Sequence, residues 1–183
     1  TSGYLFKLVD TLAALNLEAG YPKLVADQIT SPIISDDTYL YFGGVESGTN
    51  KFFVFSISDQ SVVNSYPVPS ALRSMPAWDT GSGMTYIFMG SDYEATNGTA
   101  HIYRFDVPNM AVPKDNWTPD NDVKSSINVI NGRLHAGDEG GKMHGIGAMS
   151  GTFTELTDWA TPYAASGAIS AGAYTDYLSN TLF

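Results

Sequence analysis

Three times along the chain a short apolar run ends in glycine: T-Y-L-Y-F-G-G, M-T-Y-I-F-M-G and G-R-L-H-A-G. Each is followed by a polar turn, E-S-G-T-N, S-D-Y-E-A-T-N-G-T or D-E-G-G, and then by a second alternating run, K-F-F-V-F-S-I, A-H-I-Y-R-F-D-V or K-M-H-G-I-G-A. Glycine and asparagine supply positive φ between two runs of period 2, so each pair is expected to be a β-hairpin. A shorter strand candidate precedes each hairpin, at residues 31–35, 74–78 and 125–129, and another follows it: S-V-V-N-S-Y-P-V, a segment ending D-N-W-T-P, and F-T-E-L-T-D-W. Gly43, Gly90 and Gly137 stand 47 residues apart. Four short strands in a constant period of this length make up the blade of a β-propeller.

The ends of the chain extend the pattern. The tail, S-G-A-I-S-A-G-A-Y-T-D-Y-L-S-N-T-L-F, reads as first and second strands, and the head, S-G-Y-L-F-K-L-V-D with T-L-A-A-L-N-L-E, as third and fourth. The expected fold is therefore all-β, one propeller domain over residues 1–183. It has four blades, the last shared by the N- and C-terminal strands, because closure would satisfy edge strands that otherwise lie open. Part of a larger propeller is the alternative. Residues 11–19 also carry helical propensity, the rival to a strand there.

Composition narrows the function classes. At 183 residues, with 43% hydrophobic and 13% aromatic side chains, the chain has material for one cored domain. It has no apolar run of the roughly 20 residues a membrane helix requires. Nine basic against nineteen acidic residues give a formal charge of −10, which argues against nucleic acid and anionic lipid as partners. The absence of cysteine excludes disulfides, thiolate metal sites and cysteine nucleophiles. The first residues hold neither an initiator methionine nor a signal-type run, so the chain is expected to be a mature, processed or excised form. Asn97-Gly98-Thr99 and Asn116-Trp117-Thr118 are glycosylation sequons.

The best-preserved repeat, G-R-L-H-A-G-D-E-G-G-K-M-H-G-I-G-A-M-S-G closing at Trp159, resembles the repeat of quinoprotein-type β-propellers at Gly137, Asp138, Gly141, Gly151 and Trp159. The other repeats match more weakly, one keeping its glycine and both strands, the other Gly90, Asp92 and Asp106. The resemblance implies architecture rather than activity. That superfamily includes quinone- and calcium-binding dehydrogenases, but also non-enzymatic envelope scaffolds and adhesin propellers. The enzymes have about twice as many blades, many carry a vicinal cysteine pair absent here, and none of their cofactor ligands maps onto this chain. The non-enzymatic branch is the one implied.

His135 and His144 flank the Asp138-Glu139 turn, yet strand positions in a packed blade account for both, and no metal ligand set is expected. The glycines lack the helix and the G-K-[ST] of a phosphate loop. Asp120, Asn121 and Asp122 offer oxygens to calcium, but the spaced ligand loop is missing, so no cofactor is expected, with calcium the one alternative. Neither a G-x-S-x-G elbow nor a sialidase-type box occurs, so no catalytic residue is assigned. Trp117 and Trp159 are expected to pack blade against blade. Trp78 has no periodic counterpart, and the longest hairpin loop, residues 91–99, is the freest to vary on a rigid scaffold. The binding candidates are accordingly Trp78, Asp92, Tyr93 and Glu94. The expected role is a non-catalytic, extracellular or envelope module that binds protein or glycan or takes part in surface assembly. The alternatives are a subunit or fragment of a larger propeller or strand-exchanged filament, and a glycan-processing or quinone enzyme.

Overall fold

A computed structural model describes residues 2–81, 84–93, 100–107, 115–130, 132–147, 153–155, 163–173, 175–176 and 181–182. All regular structure among them is β. The head holds β1 (Tyr4–Leu5), β2 (Leu8–Asp10), β3 (Leu15–Leu17) and β4 (Lys23–Leu24). β1 pairs with β4 and β2 with β3, both antiparallel, so the head is two antiparallel strands, each in two pieces. Residues 11–19 thus form a turn and strand β3 rather than a helix; Leu12 takes φ +65° in the turn, where Asp10 Oδ1 accepts its N–H.

Three larger sheets follow. The first contains β5 (Gln28–Ile29), β6 (Ile34–Ser35), β7 (Tyr39–Glu46), β8 (Thr49–Ser56) and β9 (Ser61–Pro67), with β5 and β6 both on the edge of β7. The second contains β10 (Ala77–Gly81), β11 (Met84–Gly90), β12 (Ile102–Val107) and β13 (Asp115–Trp117) in chain order. The third runs β14 (Asn128–Ile130), β15 (Arg133–Gly137), β16 (Lys142–Gly147) and β17 (Thr154–Glu155), with β18 (Tyr163–Ala164) returning to the start of β16. The tail is a hairpin of β19 (Thr175–Asp176) and β20 (Thr181–Leu182). Its pair Thr175↔Leu182 repeats Asn128↔His135 of the third sheet, shifted by 47 residues. Among the described residues no ladder joins β20 to the head strands.

Local sequence explains the meander. Ser47 and Gly48 both have positive φ, the signature of the two-residue turn whose twist matches its strands, and they close β7 onto β8. Asp36 caps the turn into β7: its Oδ1 accepts the N–H groups of Thr38 and Tyr39, and its Oδ2 accepts the Tyr41 hydroxyl at 2.7 Å. Burial with this hydrogen bond holds the Tyr41 phenol far above its ordinary pKa.

The sheets pack face to face through three apolar cores. Leu5, Val25 and Ala26 of the head meet Phe42, Phe53 and Phe55. Tyr41, Phe52 and Val54, on the other face of that sheet, meet Ile87, Met89, Tyr103 and Phe105. Tyr86, Phe88 and Ile102 then meet Leu134, Ala136 and Ile146. β12 lies between two of these cores, which is why all six of its residues are buried, the charged Arg104 and Asp106 included.

One junction recurs between sheets. Ser31 Oγ accepts the Gly43 N–H at 2.8 Å, Ser74 Oγ that of Gly90 at 2.7 Å, and Ser125 Oγ that of Gly137 at 2.8 Å. Opposite each glycine sits the residue that leads the chain into the following sheet: Leu72, Val123 or Ile169. A Cβ on any of the three glycines would lie no farther than 2.5 Å from that side chain, far inside van der Waals contact. The lead-in backbone also donates across sheets, Val123 N–H to Ser91 O at 3.0 Å and Ile169 N–H to Asp138 O at 2.9 Å. The glycines spaced by 47 residues are therefore points of close contact between successive sheets.

Candidate functional site

Beyond these glycines the β11–β12 and β15–β16 connections and the lead-in segments converge into a charged surface. Asp92 receives the Arg73 Nε–H at 2.8 Å, and its backbone N–H is held by Ala71 O at 2.8 Å. The Tyr93 N–H donates to Asp122, which also pairs with Lys124 at 2.7 Å. Lys124 reaches Glu139 at 3.4 Å, and Lys142 reaches Asp120 at 2.6 Å. Two sheets are thus tied by alternating charges whose side chains keep one face in solvent.

The titration behaviour follows from the partners. Hydrogen bonding and charge from Lys142 hold Asp120 below the usual carboxylate range. Burial pushes Asp122 the other way, but hydrogen bonds from Lys124 and the Tyr93 amide, with the charges of Lys124 and Arg73, leave it lowered. Lys124 is raised, chiefly by its hydrogen bond to Asp122.

Of the binding candidates, Asp92 and Tyr93 lie together here, with the Tyr93 ring 43% exposed. Trp78 is also about half exposed, but it sits on β10 opposite Ile87. Ile87 is five residues down the hairpin from Asp92, roughly 17 Å at the strand rise per residue. Trp78 therefore does not join the charged surface. Glu94 and the rest of the loop to residue 99 lie outside the described residues, as do Asn97, Gly151 and Trp159.

The histidine-rich hairpin that attracts attention in the sequence is occupied structurally. His144 Nε2 lies 3.0 Å from Asp138 Oδ2, with the two side chains 3% and 0% exposed. Asp138 Oδ1 accepts the Lys142 N–H, and the Trp117 ring meets the imidazole edge-on at 4.5 Å. Trp117 does pack one sheet on the next. His135 points to the other face, and burial, then the charge of Arg133, lowers its pKa. Among the described residues no three His, Cys, Asp or Glu side chains converge on a metal-sized site.

Two features escaped the sequence reading. Arg104 is buried in β12 with its guanidinium 5.1 Å from the centre of the Tyr86 ring and 5.4 Å from that of Phe153, a cation inserted between two sheets. Its place in an apolar alternating run gave no sign of ring partners distant in sequence. The serines of the junction were legible in principle, since each precedes its glycine by 12 or 16 residues. Compared with known proteins, the chain matches no family model and no curated sequence.

Proposed function

We propose that this chain is a propeller-type repeat module of four-stranded blades, of the quinoprotein-type repeat class, whose role is non-catalytic binding outside the cell or in its envelope. The observation that carries the reading is the serine–glycine junction, repeated at Gly43, Gly90 and Gly137, each time bearing on the lead-in of the next sheet. A repeated close contact at one position of each sheet is what a ring of blades requires at its inner strands. The tail hairpin and the head strands are on this reading the two halves of one further blade.

Arg73, Asp92, Tyr93 and Asp122 form the presenting surface. An acidic, ion-paired rim with one exposed aromatic suits a protein or glycan partner with hydroxyl and basic groups rather than a phosphate polymer. The polar side chains already engaged there hold one another, which favours positioning over turnover.

The test is a glycan array and an envelope-protein binding screen with the chain, repeated for Asp92→Ala together with Tyr93→Ala. Loss of at least tenfold in affinity with unchanged circular dichroism supports the assignment. Full retention of binding by that variant, or turnover of a glycan substrate abolished by one carboxylate change, rejects it.

A further inference from the structure

Both strands of the head break at the same level. β1–β4 and β2–β3 are separate ladders, and residues 6–7 on one strand and 18–22 on the other belong to neither, tied across by the Glu18 N–H donated to Lys7 O at 2.8 Å. The break opens a cleft of about 380 Å³ against the start of β7 and the end of β8. That volume falls in the range of small-molecule sites, roughly 300–1,000 Å³.

The floor of the cleft is an extension of the core. Leu5 belongs to the core between head and first larger sheet, and Tyr21 and Leu40 pack against it. Ile57 completes this inner wall, while Phe6, Leu8 and Ile33 are exposed and form the rim. Apart from the Tyr21 hydroxyl the inner side chains carry no donor or acceptor. A polar group entering would leave its water without replacement, so the part of a ligand that enters has to be apolar.

Lys7 is the one charged residue on the wall, and it is exposed. A lysine in that position lays its methylenes along the apolar surface and keeps its ammonium in water at the mouth. Lys51, Arg73, Lys124 and Lys142 each hold a carboxylate. Lys7 stands opposite Glu18, one step beyond the Leu8↔Leu17 pair, yet among the described residues it forms no ion pair. The chain's charge of −10 repels an anion at long range, but at physiological salt that field is screened beyond about 8 Å, and Lys7 is the ion that lines the cleft.

We infer that this cleft binds a free single-chain anionic amphiphile, an aliphatic carboxylate of medium length, with its tail against Leu5, Leu40 and Ile57 and its head group at Lys7. None of the residues of the charged surface lines the cleft, so the inference stands apart from the function proposed above.

Isothermal titration calorimetry of chain 1–183 with octanoate, decanoate and dodecanoate at about 0.15 M salt tests it. Lengthening the tail from octanoate to decanoate is expected to tighten binding about tenfold. Lys7→Glu is expected to weaken decanoate about fivefold and to leave decanol unchanged. Ile33→Trp, at a rim position outside the described cores, fills the cleft and is expected to remove measurable decanoate binding. No binding of dodecanoate at about 1 mM, or an affinity indifferent to tail length, overturns the inference. So does decanoate binding unchanged by Lys7→Glu or retained by folded Ile33→Trp. Attachment of the chain to phosphatidylcholine vesicles without binding of free decanoate overturns it as well, and assigns the cleft to a membrane surface. Lys7 is exposed, so its variant keeps the test decisive even where Ile33→Trp does not fold.

Discussion

At one position the first and third sheets solve the same packing problem with opposite chemistry. In the first, Gly44 follows the junction glycine and leaves room for the Phe53 ring, whose edge would lie 3.0 Å from any Cβ placed there. In the third, the equivalent residues are Asp138 and His144, joined by a 3.0 Å contact with neither reached by solvent. The second sheet stands between them with Ser91 and Tyr103, both buried. An aspartate–histidine pair in isolation suggests a proton relay. Set beside Gly44 and Phe53, it is a polar filling of a site that elsewhere holds a ring. The repeat conserves a volume and a strand register, and its chemistry changes freely within them.

The strongest way to break the comparison is to attack what the sheets share. Gly90→Val adds a branched side chain where even a Cβ meets Val123, including the Val123 carbonyl oxygen at 2.7 Å, so backbone as well as side chain has to yield. Overpacking of a tight site costs about 1–3 kcal/mol, and the upper end is expected here because backbone cannot rotate away. Urea unfolding should show a loss of about 3 kcal/mol or no cooperative transition at all. A change below about 0.5 kcal/mol would mean the junction is loose and the repeat reading of it mistaken.

The comparison itself is tested by exchange. Asp138→Ala leaves His144 buried beside an empty space and without its carboxylate, an expected loss of about 2–3 kcal/mol. Asp138→Gly with His144→Phe installs the first sheet's solution in the third. If the two sites are equivalent, the double variant recovers most of the loss, to within about 1 kcal/mol of wild type. Additive damage in the double variant would show that the polar pair serves something beyond filling.

How far the sequence carried this picture depends on the range of each signal. The hairpins of β7–β8, β11–β12 and β15–β16 were legible because their causes are local: alternating runs, turn glycines and a 47-residue spacing. The strands of the head were legible for the same reason, and the helical propensity of residues 11–19 yielded to the pairing of Leu15 and Leu17 with Asp10 and Leu8. The turn roles of Asp36, Asp37 and Gly141 were also readable. The ion pairs linking Arg73 to Asp92 and Lys124 to Glu139 were not, since 15 or more residues separate the partners and only the stacking of sheets brings them together. For the same reason Asp92 and Tyr93 could be grouped from one loop, while Trp78 could not be placed at the far end of the same hairpin.

The smallest expected effect separates the charged surface from the cores by pH. The folded protein lowers the pKa of Asp122, so its ionised form contributes stability that is present above the unfolded carboxylate value, near pH 4, and is lost as pH falls through the lower folded value. His135 is also lowered, but as a base: it stays neutral in the fold while the unfolded chain takes up a proton near pH 6.5. Its contribution is complete above that value and declines as pH falls toward the folded one. Stability measured by urea unfolding should therefore fall in two windows on acidification. His135→Gln should flatten the slope just below about pH 6.5 and leave the acid limb intact. Asp122→Asn should do the reverse, with a loss at neutral pH below about 1 kcal/mol because its Lys124 partner is partly in water. A single slope altered equally by both substitutions would show that the surface and the third sheet do not titrate independently, and the charged rim would then have to be treated as part of the same packed unit as the strands beneath it.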